Sequence, residues 1–378
     1  MSRPTRALIH LDALRHNLAR TRELAGGARV MVALKANAYG HGLGAVAEAL
    51  PDADAFAVAT VDEASELRAA GVSRPIVLLE GISAPGDLTL ARELDLELVV
   101  HHRFQVEALE ADRGRPLNVW LKLDTGMHRL GVAPEEAGAL RERLARCETV
   151  RQPVNLMSHL ACAEERDNPM TREQRERFDK LTEGWPGQRS LANSAGVMNW
   201  PETRYDWVRT GGMIYGLLTV SHKSGADHGL RPAMTLESRL IAVNRVERGG
   251  RVGYGATWTA PEYMPVGIVA IGYGDGYPRH APSGTPVKVN GVITETVGRV
   301  SMDLLAVDLR PVANARVGDR VVLWGEGLPA ERVAGAAGTI SYELTSGLTD
   351  RVPLVFADAG AGASAESSQS KTRSLSSP

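Results

Sequence analysis

The sequence predicts an α/β chain: an N-terminal (β/α)8 TIM-like barrel over residues 12–216, followed by a mostly β domain over residues 217–358 to which residues 1–11 add a strand. Three observations support this. Between Val30 and about Thr210, short β-rich runs alternate with amphipathic helical stretches, the pattern of a parallel barrel. After Leu218 the runs become Pro-, Gly- and Val-rich with turn signals between them, as in a β domain. The length, 378 residues, also exceeds the size at which one core stops growing.

In chain order, Arg6–Leu11 reads as a strand that leads into a helix capped by Asp12. The barrel strands are expected at Val30–Leu34, Ala55–Ala59, Ile76–Leu79, Leu96–Val100, Leu117–Leu123, Val154–Ser158, Ser190–Asn193 and Tyr205–Arg209. Helical patterns fill the intervals, among them Val61–Ala70, closed by Gly71, and also Pro134–Arg146 and Met170–Glu183. In the second domain, strands are expected at Leu240–Val246, Val266–Ile271, Val287–Val289, Val292–Val300, Leu304–Leu309 and Arg320–Leu323. Residues 359–378, AGAGASAESSQSKTRSLSSP, lack the apolar content for a core and read as a disordered tail.

Composition excludes several functions. With 43 basic and 45 acidic residues the formal charge is −2, and no basic stripe is interleaved with aromatics, so nucleic acid is not an expected partner. No apolar run approaches the roughly 20 residues that span a bilayer, and the start shows no signal-peptide core. A soluble cytoplasmic protein with no membrane partner is expected. Cys147 and Cys162 stand alone and support neither a zinc site nor a disulfide framework; no metal is expected.

The segment VALKANAYGHG (32–42) places Lys35 at the end of an apolar strand. A buried ammonium is costly, so such an amine tends to neutralise, and a neutral amine can form a covalent imine. Read alone, Lys35 fits the usual case for a lone lysine, whose stem lies on the strand and whose charge reaches water. Lys122, His159, Ser194 and Arg209 also fall at or just beyond strand ends, where barrels place their chemistry. Thr210-Gly211-Gly212 is a small-residue turn whose backbone N–H groups suit a phosphate, although a glycine pair is also an ordinary turn.

The Lys35 segment, together with WLKLDTGMHRLG (120–131), LANSAG (191–196), VRTGGMIYGL (208–217), VGYGATW (252–258), IGYGDGYPR (271–279), VGRVSMD (297–303) and SYEL (341–344), closely resembles the bacterial alanine racemases. The likeness runs in unbroken order from about residue 5 to 356. It implies pyridoxal 5'-phosphate (PLP) bound covalently to Lys35, with alanine as substrate and D-alanine supplied for peptidoglycan. Ser194, Tyr39 and Tyr342 would join Gly211 and Gly212 at the phosphate. Arg209 would face the pyridine nitrogen; an arginine only donates, which keeps that nitrogen unprotonated and disfavours side reactions of the carbanion.

By the same resemblance, Lys35 would abstract the α-proton of D-alanine and Tyr254 that of L-alanine. A phenol with a reference pKa of about 10 needs nearby cations to act as a base, with His159 and Arg209 as candidates. His159 would stack on the cofactor ring or bond toward Tyr254 through Arg209; a satisfied core histidine competes with that reading. Arg129 would bond the cofactor's phenolic oxygen and, with the Met302 backbone N–H, the substrate carboxylate. Lys122 would be carbamylated in many members, giving an anion that steadies Arg129. Tyr273 and Tyr342 would narrow the entrance, with Arg279 and Glu164 further out. The family often has aspartate at the position of Glu164 and cysteine at that of Ser301, departures that touch fine specificity. It also implies a head-to-tail homodimer with shared sites. The alternatives are a broader racemase for serine or basic amino acids, a barrel-type decarboxylase, and a non-enzymatic PLP carrier. Decarboxylases of this fold use a cysteine in the C-terminal domain, whereas both cysteines here lie in the barrel; carriers are a barrel alone.

Overall fold

The computed structural model describes residues 3–218, 220 and 223–358; the expected tail lies outside them. Strand β1 (Arg6–His10) opens the chain and is followed by the helix Leu11–Ala25. Eight parallel strands then close a barrel in sequence order: β2 (Arg29–Ala33), β3 (Ala55–Val58), β4 (Ile76–Leu78), β5 (Leu96–Val100), β6 (Val119–Lys122), β7 (Asn155–Met157), β8 (Arg189–Ser190) and β9 (Trp207–Thr210). Helices, including Val61–Ala69, Pro134–Arg146 and Met170–Thr182, lie between successive strands. One expectation fails locally. The first helix begins at Leu11 with no side-chain cap, so Asp12 lies inside its first turn rather than capping it, where its negative charge still favours the helix start.

Period-two alternation along the strands explains the barrel interior. Met31, Ala55, Ala57, Val77, Val99, Trp120, Met157 and Trp207 form one buried cluster. The two indoles meet edge to face at 6.2 Å, and Trp120 Nε1 donates to Glu97 Oε2 at 2.7 Å. Because residues i and i+2 share a face, Trp120 and Trp207 as a floor put Lys122 and Arg209 one layer higher, at the mouth. The floor is dry and aromatic, and the layer above it is cationic.

The C-terminal region is a sheet of β10 (Met234–Val246), β13 (Met264–Val269), β14 (Pro286–Val289), β15 (Val292–Val297), β16 (Leu305–Asp308), β17 (Arg320–Trp324) and β18 (Leu354–Ala357), joined by β1. A two-stranded ribbon, β11 (Arg251–Val252) and β12 (Trp258–Thr259), projects beside it. As expected, β1 joins this sheet, antiparallel to β10 and parallel to β18. Glu237 is buried in β10 because Arg6 and Arg320 bind it, at 2.7 and 2.5 Å.

His41 is fully buried against Tyr215, with Nδ1 directed at the carbonyls of Tyr39 (2.9 Å) and Ala38 (3.1 Å). Burial lowers its pKa from the usual 6.5 to about 4. The unfolded chain therefore takes up this proton first as the pH falls. The stabilisation is complete above about pH 6.5 and is lost toward pH 4, by up to ~3 kcal/mol. In denaturant titrations across that window, His41→Gln should lose about one proton's worth of slope relative to the parent chain. An unchanged slope would place the acid sensitivity elsewhere.

Candidate active site

A cavity of about 880 Å³ opens at the carboxyl ends of the barrel strands. Its walls include Lys35, Tyr39, Lys122, Arg129, His159, Glu164, Ser194, Arg209, Gly211, Gly212 and Tyr342, so eleven sequence-predicted residues share one space. Tyr254, Met302, Tyr273 and Arg279 are absent from these walls. Tyr254 sits in a short turn between β11 and β12 and is 68 % exposed; Met302 is 54 % and Tyr273 39 % exposed.

Lys35 directly follows Leu34 at the end of β2, and the backbone then turns unusually. Ala36, Asn37, Ala38 and Tyr39 all have φ near +54° and ψ between 35° and 53°, a left-handed turn without a glycine. Each such residue costs about 1–2 kcal/mol, with Asn the best tolerated. Local bonds recover part of this: Ala38 N–H donates to Leu34 O (2.7 Å), Gly42 N–H to Asn37 O (3.1 Å), and Leu43 N–H to Asn37 Oδ1 (2.7 Å). Tyr39 stacks on Tyr215 at 4.9 Å and meets Tyr342 edge-on at 5.7 Å. Tyr215 is anchored by donating to Ala33 O at 2.8 Å.

Among the described residues the Lys35 side chain has no hydrogen bond or ion pair, and its pKa is lowered by burial and by Arg129. Lys122, 8 % exposed, is pushed down to about 8 by burial, then by Arg209, Arg129 and Lys35. Both amines are thus biased toward the neutral, nucleophilic form.

Arg209 is the best-held cation. Its guanidinium donates to Ser190 Oγ at 2.7 Å, to the Ser158 carbonyl, to Leu191 O at 3.5 Å and to His159 Nδ1 at 3.3 Å. Burial and Arg129 bring its pKa down to about 10, so it stays charged near neutrality. His159 differs from expectation. Burial and Arg209 hold its pKa well below the usual range, so it is a neutral acceptor of the arginine and not one of the cations that could acidify a phenol.

A cradle of small groups closes the other end. Ser194 Oγ accepts from the N–H of Gly211 (3.1 Å) and Met213 (3.3 Å). A Cβ at Gly211 would lie 2.4 Å from Tyr39 Oη, and one at Gly212 2.4 Å from Tyr342 Oη and 2.4 Å from Leu217 O. The glycines therefore let the backbone approach the two phenols. Burial raises the pKa of both phenols, which keeps them protonated as donors. Backbone N–H groups, a serine and two tyrosine hydroxyls converge here, a set suited to a dianionic phosphate.

Residues not foreseen from sequence also line the cavity: Leu79, Glu80, Leu130, Asn193, Glu331 and Thr339 among them. Asn193 is legible in retrospect as the cap of the helix Ser194–Asn199, accepting from Gly196 N–H at 2.9 Å. Glu331 accepts from Leu218 N–H (3.0 Å) and Gly225 N–H (3.2 Å), a tertiary contact with no local signal.

Comparison with known proteins agrees with this fold. The family profiles described as alanine racemase, N-terminal domain, and alanine racemase, C-terminal domain, match residues 9–219 and 233–356. An alanine racemase of Shewanella loihica is 52% identical over 350 residues, covering 92% of this chain and 98% of its own. The biosynthetic alanine racemase of Escherichia coli O6:H1 is 51% identical over 353 residues, covering 93% and 98%. The crystal structure of biosynthetic alanine racemase from Pseudomonas aeruginosa aligns with a TM-score of 0.91 at 49% identity, covering 94% of this chain and 99% of that one. With both halves of the chain matched and the barrel mouth assembled as described, this chain belongs to the alanine racemase family.

Proposed function

We propose that the alanine racemisation carried out by this chain runs on PLP held at the barrel mouth, in a site completed by a second copy of the chain. The observation that carries this reading is the pairing, in one cavity, of an unpartnered Lys35 amine with a cradle that a Cβ at Gly211 or Gly212 would fill. Lys35 would hold the cofactor covalently; Ser194, Tyr39, Tyr342 and the Gly211–Gly212 backbone would hold its phosphate. When bound, PLP supplies the electron sink that makes the substrate Cα–H acidic enough to remove. Arg209, fixed and charged, would donate to the ring nitrogen and keep a proton off it.

The chain's own groups do the rest. Arg129 and the Met302 N–H would bind the substrate carboxylate. Lys35 Nζ would take the α-proton of D-alanine while Tyr254 Oη delivers one to the opposite face, and the roles reverse for L-alanine. Tyr254, Met302, Tyr273 and Arg279 all lie away from their own chain's cavity, with the first three exposed at solvent. That placement favours a head-to-tail homodimer in which each copy closes its partner's site. The corridor would combine Glu164 and Tyr342 of one chain with Tyr273 and Arg279 of the second. Lys122, biased toward its neutral form, would take up carbon dioxide as a carbamate whose charge offsets Arg129. The decarboxylase reading is disfavoured because Cys147 and Cys162 both lie in the barrel, and the carrier reading because the C-terminal match spans residues 233–356. Among the described residues no helix is long and apolar enough to cross a membrane. A cytoplasmic enzyme supplying D-alanine for peptidoglycan suits the two free thiols; alanine is its small-molecule substrate, and nucleic acid is no part of this reading.

The test is to titrate the cofactor-free protein with PLP and compare racemisation of L-alanine, L-serine and L-lysine. Alanine activity that appears with PLP is expected, and comparable turnover of lysine would favour the broader racemase. Gly211→Ala should weaken PLP retention about ten- to hundredfold, the effect of ~1–3 kcal/mol of overpacking against Tyr39. Retention equal to the parent enzyme would mean that the phosphate lies elsewhere.

A further inference from the structure

The left-handed turn after Lys35 is fastened from outside itself. Its first amide, Ala36 N–H, donates to Glu63 Oε1 at 2.7 Å. Glu63 belongs to the helix Val61–Ala69, where Thr60 is the cap: Glu63 N–H donates to Thr60 Oγ1 at 3.3 Å, and Glu63 Oε2 accepts from Thr60 N–H at 3.2 Å. The same Oε2 accepts from Ala59 N–H at 2.8 Å. A capping box needs only the reciprocal contact at the helix start. Here the second carboxylate oxygen crosses to another strand end and holds the residue next to Lys35.

We infer that Glu63 is a positioning residue for the proton transfer that Lys35 performs, its carboxylate setting the direction of the lysine by tying the Ala36 amide to the end of β3. This rests on the reading of Lys35 as the base on the D-alanine face and Tyr254 as the base on the L-alanine face. Four consecutive left-handed residues have no intrinsic reason to persist, and functional sites keep such strain only where the surroundings over-determine it. The amide bonded to Glu63 is one peptide from the Lys35 Cα, so release of that bond moves the base of a long side chain whose Nζ makes no hydrogen bond or ion pair with another described residue. Nothing in this linkage touches Tyr254. Loss of Glu63 therefore burdens one of the two proton transfers and not the other.

The experiment uses PLP-loaded enzyme carrying Glu63→Gln, with Glu63→Asp as a milder variant that keeps both oxygens and Thr60→Ala as a control that removes only the helix cap. A glutamine keeps one acceptor and turns a donor toward the remaining amides. Primary deuterium isotope effects on kcat/KM are measured with α-deuterated D-alanine and α-deuterated L-alanine. Expected for Glu63→Gln is a fall in kcat of up to about 100-fold, the scale of a small misplacement, with KM little changed. The isotope effect should rise for D-alanine, whose proton Lys35 removes, and fall toward unity for L-alanine. Glu63→Asp should shift both in the same sense by less, and Thr60→Ala should lower the melting temperature with both isotope effects unmoved. Unchanged isotope effects in both Glu63 variants would overturn the proposal and leave Glu63 as a helix cap. A swing in the opposite sense would instead overturn the assignment of Lys35 to the D-alanine face, and this proposal as worded with it.

Discussion

Replacing Lys35 by alanine should lower racemisation by about 10⁴-fold or more, since on the proposed function it removes both the covalent hold on the cofactor and one of two proton-transfer groups. Borohydride-treated protein should then carry no covalently fixed PLP. The one competing amine on the cavity wall is Lys122, and it is poorly placed to substitute: it is 8 % exposed in the cationic layer above the aromatic floor, under the influence of Arg209 and Arg129. Peptide mapping decides between them. A reduced PLP adduct on Lys122 in the Lys35→Ala protein would remove Lys35 from its assigned role. Misfolding is not the expected cause of the loss. The Lys35 side chain makes no hydrogen bond among the described residues, and truncating a partly buried cation without a partner should move stability by less than about 1 kcal/mol. Equal melting curves beside an inactive enzyme are the signature of a lost chemical group.

How much of this was legible in the sequence follows from where each signal resides. The barrel strands read clearly because parallel strands are covered on both faces and appear as unbroken apolar runs, such as Val30–Leu34. The seventh, β8, was placed too late: Ser190–Asn193 was expected, yet pairing ends at Ser190 because Asn193 turns out to cap the next helix. Strand β10 was expected from Leu240 but starts at Met234. Glu237 breaks its apolar pattern, and only the tertiary pairing with Arg6 and Arg320 makes that carboxylate compatible with burial. The left-handed turn at Ala36–Tyr39 was not legible, since none of its four residues is glycine and Gly40 marks only its end. Glu63 was half legible: Thr60 and Glu63 have capping-box spacing, but the bond to Ala36 exists only once β2 and β3 lie side by side. The cationic residues were found by their positions at strand ends. Why Lys122 and Arg209 face inward became clear only from Trp120 and Trp207, two residues earlier on the same faces.

Tyr254→Phe removes one oxygen atom from a residue that is 68 % exposed and outside its own chain's cavity, so the isolated chain gives no reason for any effect on activity. The expected result is nevertheless a loss of about 10³- to 10⁴-fold in both directions, because racemisation in either direction needs one group to take a proton and another to return one on the opposite face. Lys35 remains, so the variant should still exchange solvent deuterium into D-alanine while forming almost no L-alanine. Mixing then tests where the second group comes from. In a hybrid of one Lys35→Ala subunit and one Tyr254→Phe subunit, one site combines both lesions and the other has neither. Random exchange between equal amounts makes about half the dimers hybrids, each with one intact site of two, so about a quarter of the parent activity should return. If each site were built from a single chain, every site would keep a lesion and nothing would return. Recovery after verified subunit exchange thus separates a shared site from a self-contained one, and it does so with two proteins that are each inactive alone.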